Sequence, residues 1–181
     1  MSSLRMLVTV SALCLGGIAV SAAQAPATPA AAGAKADTTQ AEEHHHAMAA
    51  HHQAAEAHAK ALHHTAKSGK PLNKDLAKAH TDEIGKNLEH AKKQHDATQK
   101  VTAADEKLKP HDAAITEHHA KAAEHHTKLQ TEVAKPAPDA KAVAEHAAAV
   151  HHHVKQADAQ NSEIMKKRKI KEPSEPPAPA K

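Results

Sequence analysis

Histidine and apolar residues recur along the chain at alternating spacings of four and three, the pattern by which one face of a helix packs against other helices. The first such stripe reads His44, Met48, His51, Ala55, His58 and Leu62. Other positions place Asp or Glu four residues before Lys, a spacing that stabilises an exposed helical face. Examples of these acidic residues are Asp82, Glu89, Glu117 and Glu124. The pattern therefore predicts amphipathic helices whose inner face carries histidine.

Strong breaks divide the chain into helical segments. Residues 68–71 (Ser-Gly-Lys-Pro) and 135–138 (Lys-Pro-Ala-Pro) stop helices, and Asn73 and Asp139 can cap the helices that follow. A weaker break precedes Pro110, which suits the first turn of a helix. We predict an all-α four-helix bundle with helices at about 40–67, 72–102 (continuing to 108 in one alternative), 110–134 and 139–169.

The two halves of this helical region repeat one another. Adding 67 to each position of the first stripe gives His111, Ile115, His118, Ala122, His125 and Leu129. Adding 66 to positions of the second helix converts His80 into His146 and Ile84 into Val150. The one-residue difference falls in a hairpin turn, where a deletion is tolerated. We predict a duplicated helical hairpin, with the hairpins at 40–108 and 109–170.

The two ends of the chain differ from the helical region. Residues 1–23 combine Arg5, an uncharged apolar stretch and small residues at the cleavage position, which together predict a secretory signal peptide. Residues 24–39 predict a disordered Ala/Pro linker, and 171–181 predict a disordered Pro-rich tail. The only cysteine lies inside the predicted signal. We therefore expect a periplasmic or secreted protein without stable membrane insertion after signal removal.

Composition excludes several functions. The 181 residues include 20 His but no Phe, Tyr or Trp, and the net charge is only +3. Nucleic-acid binding is not expected, because base stacking needs aromatic rings and phosphate binding needs a strong excess of positive charge. An enzyme is not expected either, since the chain has no Gly-rich phosphate loop and no cysteine nucleophile outside the signal. Large aliphatic residues are scarce, so we expect histidine to help hold the bundle together.

The spacing of the histidines restricts how they can bind metal. No two are three or four residues apart, so consecutive turns of one helix cannot supply two ligands. Histidines on one stripe recur every seven residues, about 10.5 Å along the helix axis, which is too far for them to share one ion. A metal ion would therefore be held between helices, by one histidine of the stripe from each helix.

Antiparallel folding of both hairpins, packed in register, predicts three layers. The layer near Gly69 holds His58, His80, His125 and His146, and the middle layer holds His51, Asn87, His118 and His153. The far layer holds His44, His95, His111 and Asn161. The ten histidines of these layers are the candidate metal ligands. The register needs a turn near Ala103, because a second helix that continued to Leu108 would bring His95 level with His125 instead.

Several further histidines directly neighbour the stripe in sequence. They are His45, His46, His52, His63, His64, His119, His126, His151 and His152. A neighbour lies about 100° round the helix, so these residues are expected at the edge of the stripe. There they could complete a metal shell, orient a ligand or be exposed.

Imidazole ligands suit divalent copper, zinc and nickel, and sulfur ligands are too few for Cu(I). We therefore expect an extracytoplasmic histidine-rich protein that buffers or stores divalent Cu, Zn or Ni ions between its helices, with metal ions as its partners. Two alternatives stay open. One is a metal-free bundle that buffers or responds to acid through its histidines. The other is a bundle that binds haem through two histidines.

Overall fold

Four α-helices joined by turns make up the part of the chain described by the computed structural model, which is residues 30–103 and 105–171, with side chains from residue 39 onward. They are α1 (Ala30–Lys67), α2 (Lys74–Thr102), α3 (Lys109–Ala134) and α4 (Ala140–Arg168). No strand occurs among these described residues. The predicted all-α four-helix bundle is therefore confirmed.

The helices run up and down around four corners. α1 and α3 each pack against both α2 and α4, so α1 and α3 lie on one diagonal of the bundle and α2 and α4 on the other. Consecutive helices are antiparallel because short turns connect them. Each hairpin forms one groove between its own helices, and the hairpins join along the α1–α4 and α2–α3 interfaces. The α2–α3 interface is the least extensive of the four.

The helix ends form as their sequence signals predict. The Asn73 side chain accepts a hydrogen bond from the Leu76 N–H at 3.0 Å, and Asp139 accepts one from the Lys141 N–H at 2.9 Å. Both side chains therefore cap the helices that follow them. Gly69 adopts a φ of 72° in the first turn, a left-handed conformation that costs glycine no steric strain.

The turn between the hairpins decides the register that the sequence left open. α2 ends at Thr102, and α3 begins at Lys109 with proline in its first turn. The Ala103 N–H donates to the Gln99 carbonyl as α2 ends, so the helix does not continue to residue 108. The in-register alternative is therefore the one that occurs.

α1 is longer than predicted. It begins at Ala30, directly after Pro29, whereas the prediction placed its start near residue 40. Ala is the strongest helix former, and five of the residues 30–36 are Ala, so the helix extends back to the proline. α1 therefore begins within the segment 24–39 that the sequence assigned to a linker. Residues 24–29, the predicted signal peptide (1–23) and tail residues 172–181 lie outside the described residues.

The buried stripe of α1 keeps the predicted spacing but shifts by one residue at the histidines. Met48, Ala55 and Leu62 are fully buried, as predicted, whereas the stripe histidines beside them are only half-buried. The residues that complete the buried stripe come one position later, at His45, His52 and Ala59. The whole stripe, each residue 8% exposed or less, reads Ala41, His45, Met48, His52, Ala55, Ala59, Leu62 and Ala66.

α3 shows the same shift. Its buried residues are Asp112, Ile115, His119, Ala122, Leu129, Glu132 and Val133, and Leu108, directly before the helix, is buried as well. The predicted histidines His111, His118 and His125 are half-buried at the border of the stripe. On both helices, the predicted histidines thus line the groove within a hairpin. The histidines that follow three of them, His45, His52 and His119, reach the centre of the bundle.

Small apolar residues dominate the core. One buried cluster surrounds Leu62, Ile84 and Leu129, and a second surrounds Met48 and Ile115. On α1 and α3 the two clusters are separated in sequence by His52 and His119. None of the described helices combines the length and the apolar character needed to cross a bilayer.

Candidate functional site

Three facing pairs of side chains line the groove between α1 and α2. From the Gly69 turn outward, the facing atoms are His58 Nδ1 and His80 Nδ1 at 3.0 Å, His51 Nδ1 and Asn87 Oδ1 at 3.0 Å, and His44 Nδ1 and Gln94 Oε1 at 2.6 Å. Each pair joins one residue of α1 to one of α2. The first two pairs are those that the layers predicted. The third differs, because His44 faces Gln94 rather than His95.

The same three levels recur between α3 and α4. The facing atoms are His125 Nδ1 and His146 Nδ1 at 3.5 Å, His118 Nδ1 and His153 Nδ1 at 3.4 Å, and His111 Nδ1 and Gln160 Oε1 at 2.8 Å. Again the first two pairs are as predicted and the third is not, because His111 faces Gln160 rather than Asn161. Both errors have one cause: the groove-lining positions of α2 and α4 recur every seven residues, and His95 and Asn161 each lie one position beyond that spacing, where they are buried in the core.

Three of these six contacts join two imidazoles, and we call them the imidazole pairs: His58–His80, His118–His153 and His125–His146. Their Nδ1–Nδ1 distances run from 3.0 to 3.5 Å. Two nitrogens bound to one tetrahedral ion at 2.0–2.1 Å lie about 3.3 Å apart. The pairs of the second hairpin, at 3.4 and 3.5 Å, are longer than a usual hydrogen bond. Their spacing is close to that of two ligands of one ion.

The predicted four-residue layers do not form. The α1–α2 and α3–α4 grooves lie on opposite sides of the bundle, so the pairs at one level stay apart. In residues 30–103 and 105–171, no group of three or more His, Cys, Asp or Glu side chains is arranged to hold a metal ion. An ion at an imidazole pair would therefore have two protein ligands, with other ligands completing its coordination.

The two grooves differ in whether their imidazole pairs contact one another. In the α3–α4 groove the His125 and His153 rings stack with centroids 5.9 Å apart, which links the two imidazole pairs into one row. His152 extends that row, with its ring centroid 5.1 Å from that of His153. In the α1–α2 groove, Asn87 occupies the level of His153 and leaves His58–His80 as an isolated pair.

Partial burial favours the neutral form of these imidazoles. Burial lowers the pKa of His80, His118, His125 and His153 below 6.5. A charged neighbour adds to this effect, since protonation of His58 would lower the pKa of His80 further. Neutral imidazole is the form that binds metal, so the burial of these four rings favours the state that metal binding requires.

A second set of histidines fills the centre of the bundle. His52 Nε2 and His119 Nε2 approach to 2.7 Å across the α1–α3 diagonal, so one ring donates a hydrogen bond to the other. His45 Nδ1 donates to Asn161 Oδ1 at 2.7 Å, while Asn161 Nδ2 donates to the His45 carbonyl at 3.1 Å. Burial lowers the pKa of His45 to about 4 and that of His119 to about 3. Both rings are therefore neutral at pH 7.

His95 and Asp112 also face this centre. His95 Nε2 lies 3.4 Å from Asp112 Oδ1, and the Thr102 hydroxyl donates to Asp112 Oδ2 at 3.2 Å. His95 Nε2 and Asp112 Oδ1 are within ion-pair range, but neither atom makes a hydrogen bond with the described residues. His45 Nε2 also has no hydrogen-bond partner among them. A buried polar atom left without a partner costs about 1–3 kcal/mol. With His119 Nδ1, which is also without a partner, four such atoms therefore lie in this part of the core.

Sequence reasoning expected His45, His52 and His119 at the edge of the stripe, which is wrong. The signal that could have placed them was the continuation of the pattern on α3. Leu108 and Val133 are large apolar residues that share the spacing of His119 and not that of His118. Extending the stripe through them would have shifted the buried face by one residue.

Comparison of the chain with protein-family models, curated protein sequences and solved structures finds no match. A functional assignment therefore rests on the chemistry of the chain's own residues. Two features carry that chemistry: the imidazole pairs in the grooves and the polar centre of the bundle.

Proposed function

We propose that this protein is an extracytoplasmic metal buffer that binds divalent Cu, Zn or Ni ions between its helices. The observation that supports the proposal is the set of three imidazole pairs, whose Nδ1 atoms lie 3.0–3.5 Å apart. The extracytoplasmic location rests on residues 1–23, whose basic start, apolar stretch and small residues are typical of a secretory signal.

Two protein ligands favour buffering over a structural or catalytic role. Structural zinc sites have four protein ligands and catalytic sites have three, whereas an imidazole pair offers two and leaves the rest of the coordination shell to water or a competing ligand. The paired histidines are half-buried, so an ion can reach them from solvent without unfolding of the bundle. Ions held in this way exchange readily.

The linked row in the α3–α4 groove would widen the working range of the buffer. Ions bound at His118–His153 and His125–His146 would repel one another, because the stacked rings that join the pairs have centroids only 5.9 Å apart. The second ion would therefore bind more weakly than the first. A duplicated hairpin with an isolated pair in one half and linked pairs in the other thus offers sites of graded affinity.

Alanine replacements at one imidazole pair test the proposal. We expect His118→Ala and His153→Ala each to abolish the same binding event in a Zn(II) titration, so that the double variant loses no more than either single one. His111→Ala is the matched control, because His111 lines the same groove but faces the Gln160 side chain. Additive losses from the two replacements, or an equal loss from His111→Ala, would contradict binding between the helices.

The buried histidines favour acid response as a second candidate function. His45 and His119 have pKa values lowered by burial to about 4 and about 3, so they oppose protonation while the bundle stays closed. Mild acid would therefore destabilise the bundle and release any bound metal. Metal binding and acid response are compatible functions. A chain that binds no metal but loses stability on acidification would support acid response and not metal binding.

A further inference from the structure

We infer that a cavity between α2 and α3 binds a small neutral aromatic molecule, whose hydroxyl group donates a hydrogen bond to His119. The cavity has a volume of about 390 Å³, within the range of about 300–1,000 Å³ that is typical of small-molecule sites. None of the residues that line it belongs to the imidazole pairs, which lie in the other two grooves. Binding there is therefore independent of the metal-buffering function proposed above.

The cavity exists because the two repeats differ in side-chain size at one place. In the equivalent α1–α4 interface, His151 Nε2 and Glu56 Oε1 lie 3.0 Å apart and pack between the helices. The repeat offsets of 66 and 67 residues replace His151 and Glu56 by Gly85 and Ala123, which both line the cavity. The His126 ring covers Gly85, and the remaining space stays open. The α2–α3 interface is consequently the least extensive of the four.

The inner wall of the cavity suits an aromatic ring. It includes the buried side chains of Leu88, His95 and His119, and the exposed surface of the cavity is mostly apolar. The His95 and His119 rings already meet edge to face, with centroids 5.6 Å apart. Aromatic rings favour such contacts, so a ligand ring can extend the arrangement.

The charges at the entrance favour a neutral ligand. Two carboxylates border the cavity, those of Glu89 and Asp96. Each is paired with a lysine of the same helix: Glu89 Oε1 lies 2.7 Å from Lys93 Nζ, and Asp96 Oδ2 lies 2.6 Å from Lys92 Nζ. Because both carboxylates are paired, the entrance has no free charge of these residues with which to attract an ion.

A chain of hydrogen bonds across the core determines the polar group that the cavity offers. His52 Nδ1 lies 3.4 Å from Asp158 Oδ1, and an ionised carboxylate can only accept, so His52 carries a proton on Nδ1. In a neutral ring the His52 Nε2 atom then accepts from His119 Nε2, 2.7 Å away. A neutral His119 therefore carries its proton on Nε2, and its Nδ1 atom is a hydrogen-bond acceptor.

The repeat also indicates where His119 Nδ1 points. His52 and His119 are equivalent positions, and the residue equivalent to Asp158 is Lys92, which lines the cavity. Lys92 pairs with Asp96 instead, and His119 Nδ1 has no hydrogen-bond partner among the described residues. A ligand hydroxyl supplies the missing donor. Because the atom is covered in the empty cavity, binding requires a small separation of α2 and α3 at their weak interface.

Fluorescence titrations with 2-naphthol and 2-methoxynaphthalene test the inference on the full chain, with a chelator present to remove metal. The chain has no Phe, Tyr or Trp, so the protein adds no fluorescence of its own. At pH 8, above the ordinary histidine pKa of about 6.5, we expect 2-naphthol to bind about tenfold more tightly, because the ether cannot donate a hydrogen bond. Equal affinities, tighter binding of the ether, or no binding of either compound would overturn the inference.

Three variants locate the site and identify its acceptor. Ala123→Leu, at an exposed position, fills the cavity and should abolish binding of both compounds while circular dichroism stays unchanged. The double variant His52→Leu/His119→Leu keeps the cavity but lacks the acceptor, so it should bind both compounds equally. Asp158→Ala, at the opposite interface, should weaken 2-naphthol binding alone, since it removes the carboxylate that fixes the His52 proton. Binding unchanged in Ala123→Leu, or a 2-naphthol preference that persists in the double variant, would overturn the inference.

Discussion

Replacing both His52 and His119 by leucine should reduce the stability that the metal-free bundle loses between pH 7 and pH 5 by about 2 kcal/mol. The two rings are buried on the α1–α3 diagonal and contact one another through Nε2 atoms 2.7 Å apart. Leucine has a similar volume and no polar atom, and replacing both rings leaves neither without its partner. Asp158, whose Oδ1 lies 3.4 Å from His52 Nδ1, is partly exposed, so water can replace that contact. Such double replacements are close to neutral for stability near pH 7.

The magnitude follows from the pKa of His119, which burial lowers from 6.5 to about 3. Below pH 6.5 the His119 imidazole binds a proton in the unfolded chain but not in the folded chain. The free energy of unfolding therefore falls as the pH decreases towards the folded-state pKa. Between pH 7 and pH 5 this difference amounts to about 2 kcal/mol for one histidine. His45, whose pKa is about 4, contributes a similar loss. The parent protein should therefore lose about 4 kcal/mol from these rings, and the double variant about 2 kcal/mol.

Urea unfolding at pH 7 and pH 5, followed by circular dichroism in the presence of a chelator, measures both losses. The window avoids the glutamates of the helix surface, whose pKa values are held below 4.5 by hydrogen bonds from lysines. Half-buried histidines of the grooves contribute equally to both proteins, and His64→Leu, at an exposed position, is the control. An unchanged pH dependence in the double variant, or a parent protein that gains stability at pH 5, would refute the reasoning.

Three further replacements test the packing and the helix ends, all by urea unfolding at pH 7. Gly85→Ala places a Cβ 2.6 Å from the His126 ring, so it should not stabilise the parent protein. In a His126→Ala background the same replacement should stabilise the protein by about 1 kcal/mol, because alanine has the higher helix propensity. Equal effects in both backgrounds would contradict the contact between Gly85 and His126. Asn161→Ala should cost about 3 kcal/mol, because it leaves His45 Nδ1 buried without a partner, and a loss below 1 kcal/mol would argue against that hydrogen bond. Asn73→Ala should cost about 1 kcal/mol by removing the α2 cap, whereas Asn73→Ser should restore most of it.

The fold could be predicted because local signals agree along the chain. The four-and-three spacing, the breaks at Gly69 and Pro136, and the caps at Asn73 and Asp139 all indicate the same helices. The start of α1 was missed because an Ala-rich stretch after proline was interpreted as a linker. Ala favours a helix, but an Ala-rich stretch next to proline also fits a linker. Composition alone therefore does not separate a helix from a linker in this segment.

The candidate site was only partly predictable. Residues at equal distances from a hairpin turn lie opposite each other on its two helices. Counting outward from the turns therefore predicts the pairs His58–His80 and His125–His146, which occur in the structure. The face of a helix that reaches the core is harder to predict, since His44 and His45 are equivalent in composition and differ by only about 100° of rotation. Which of two neighbouring histidines is buried depends on the packing of all four helices together.

Calorimetric titration of Zn(II) into the metal-free chain, compared with a variant that lacks one histidine of each imidazole pair, tests the central claim most directly. The variant carries His58→Ala, His125→Ala and His153→Ala, all at half-buried positions that leave the core intact. We predict that the parent binds three more ions than the variant, and that the zinc-induced rise in its Tm is larger. Equal stoichiometry in the two proteins, or a parent that binds no ion at micromolar zinc, would contradict metal binding by the imidazole pairs.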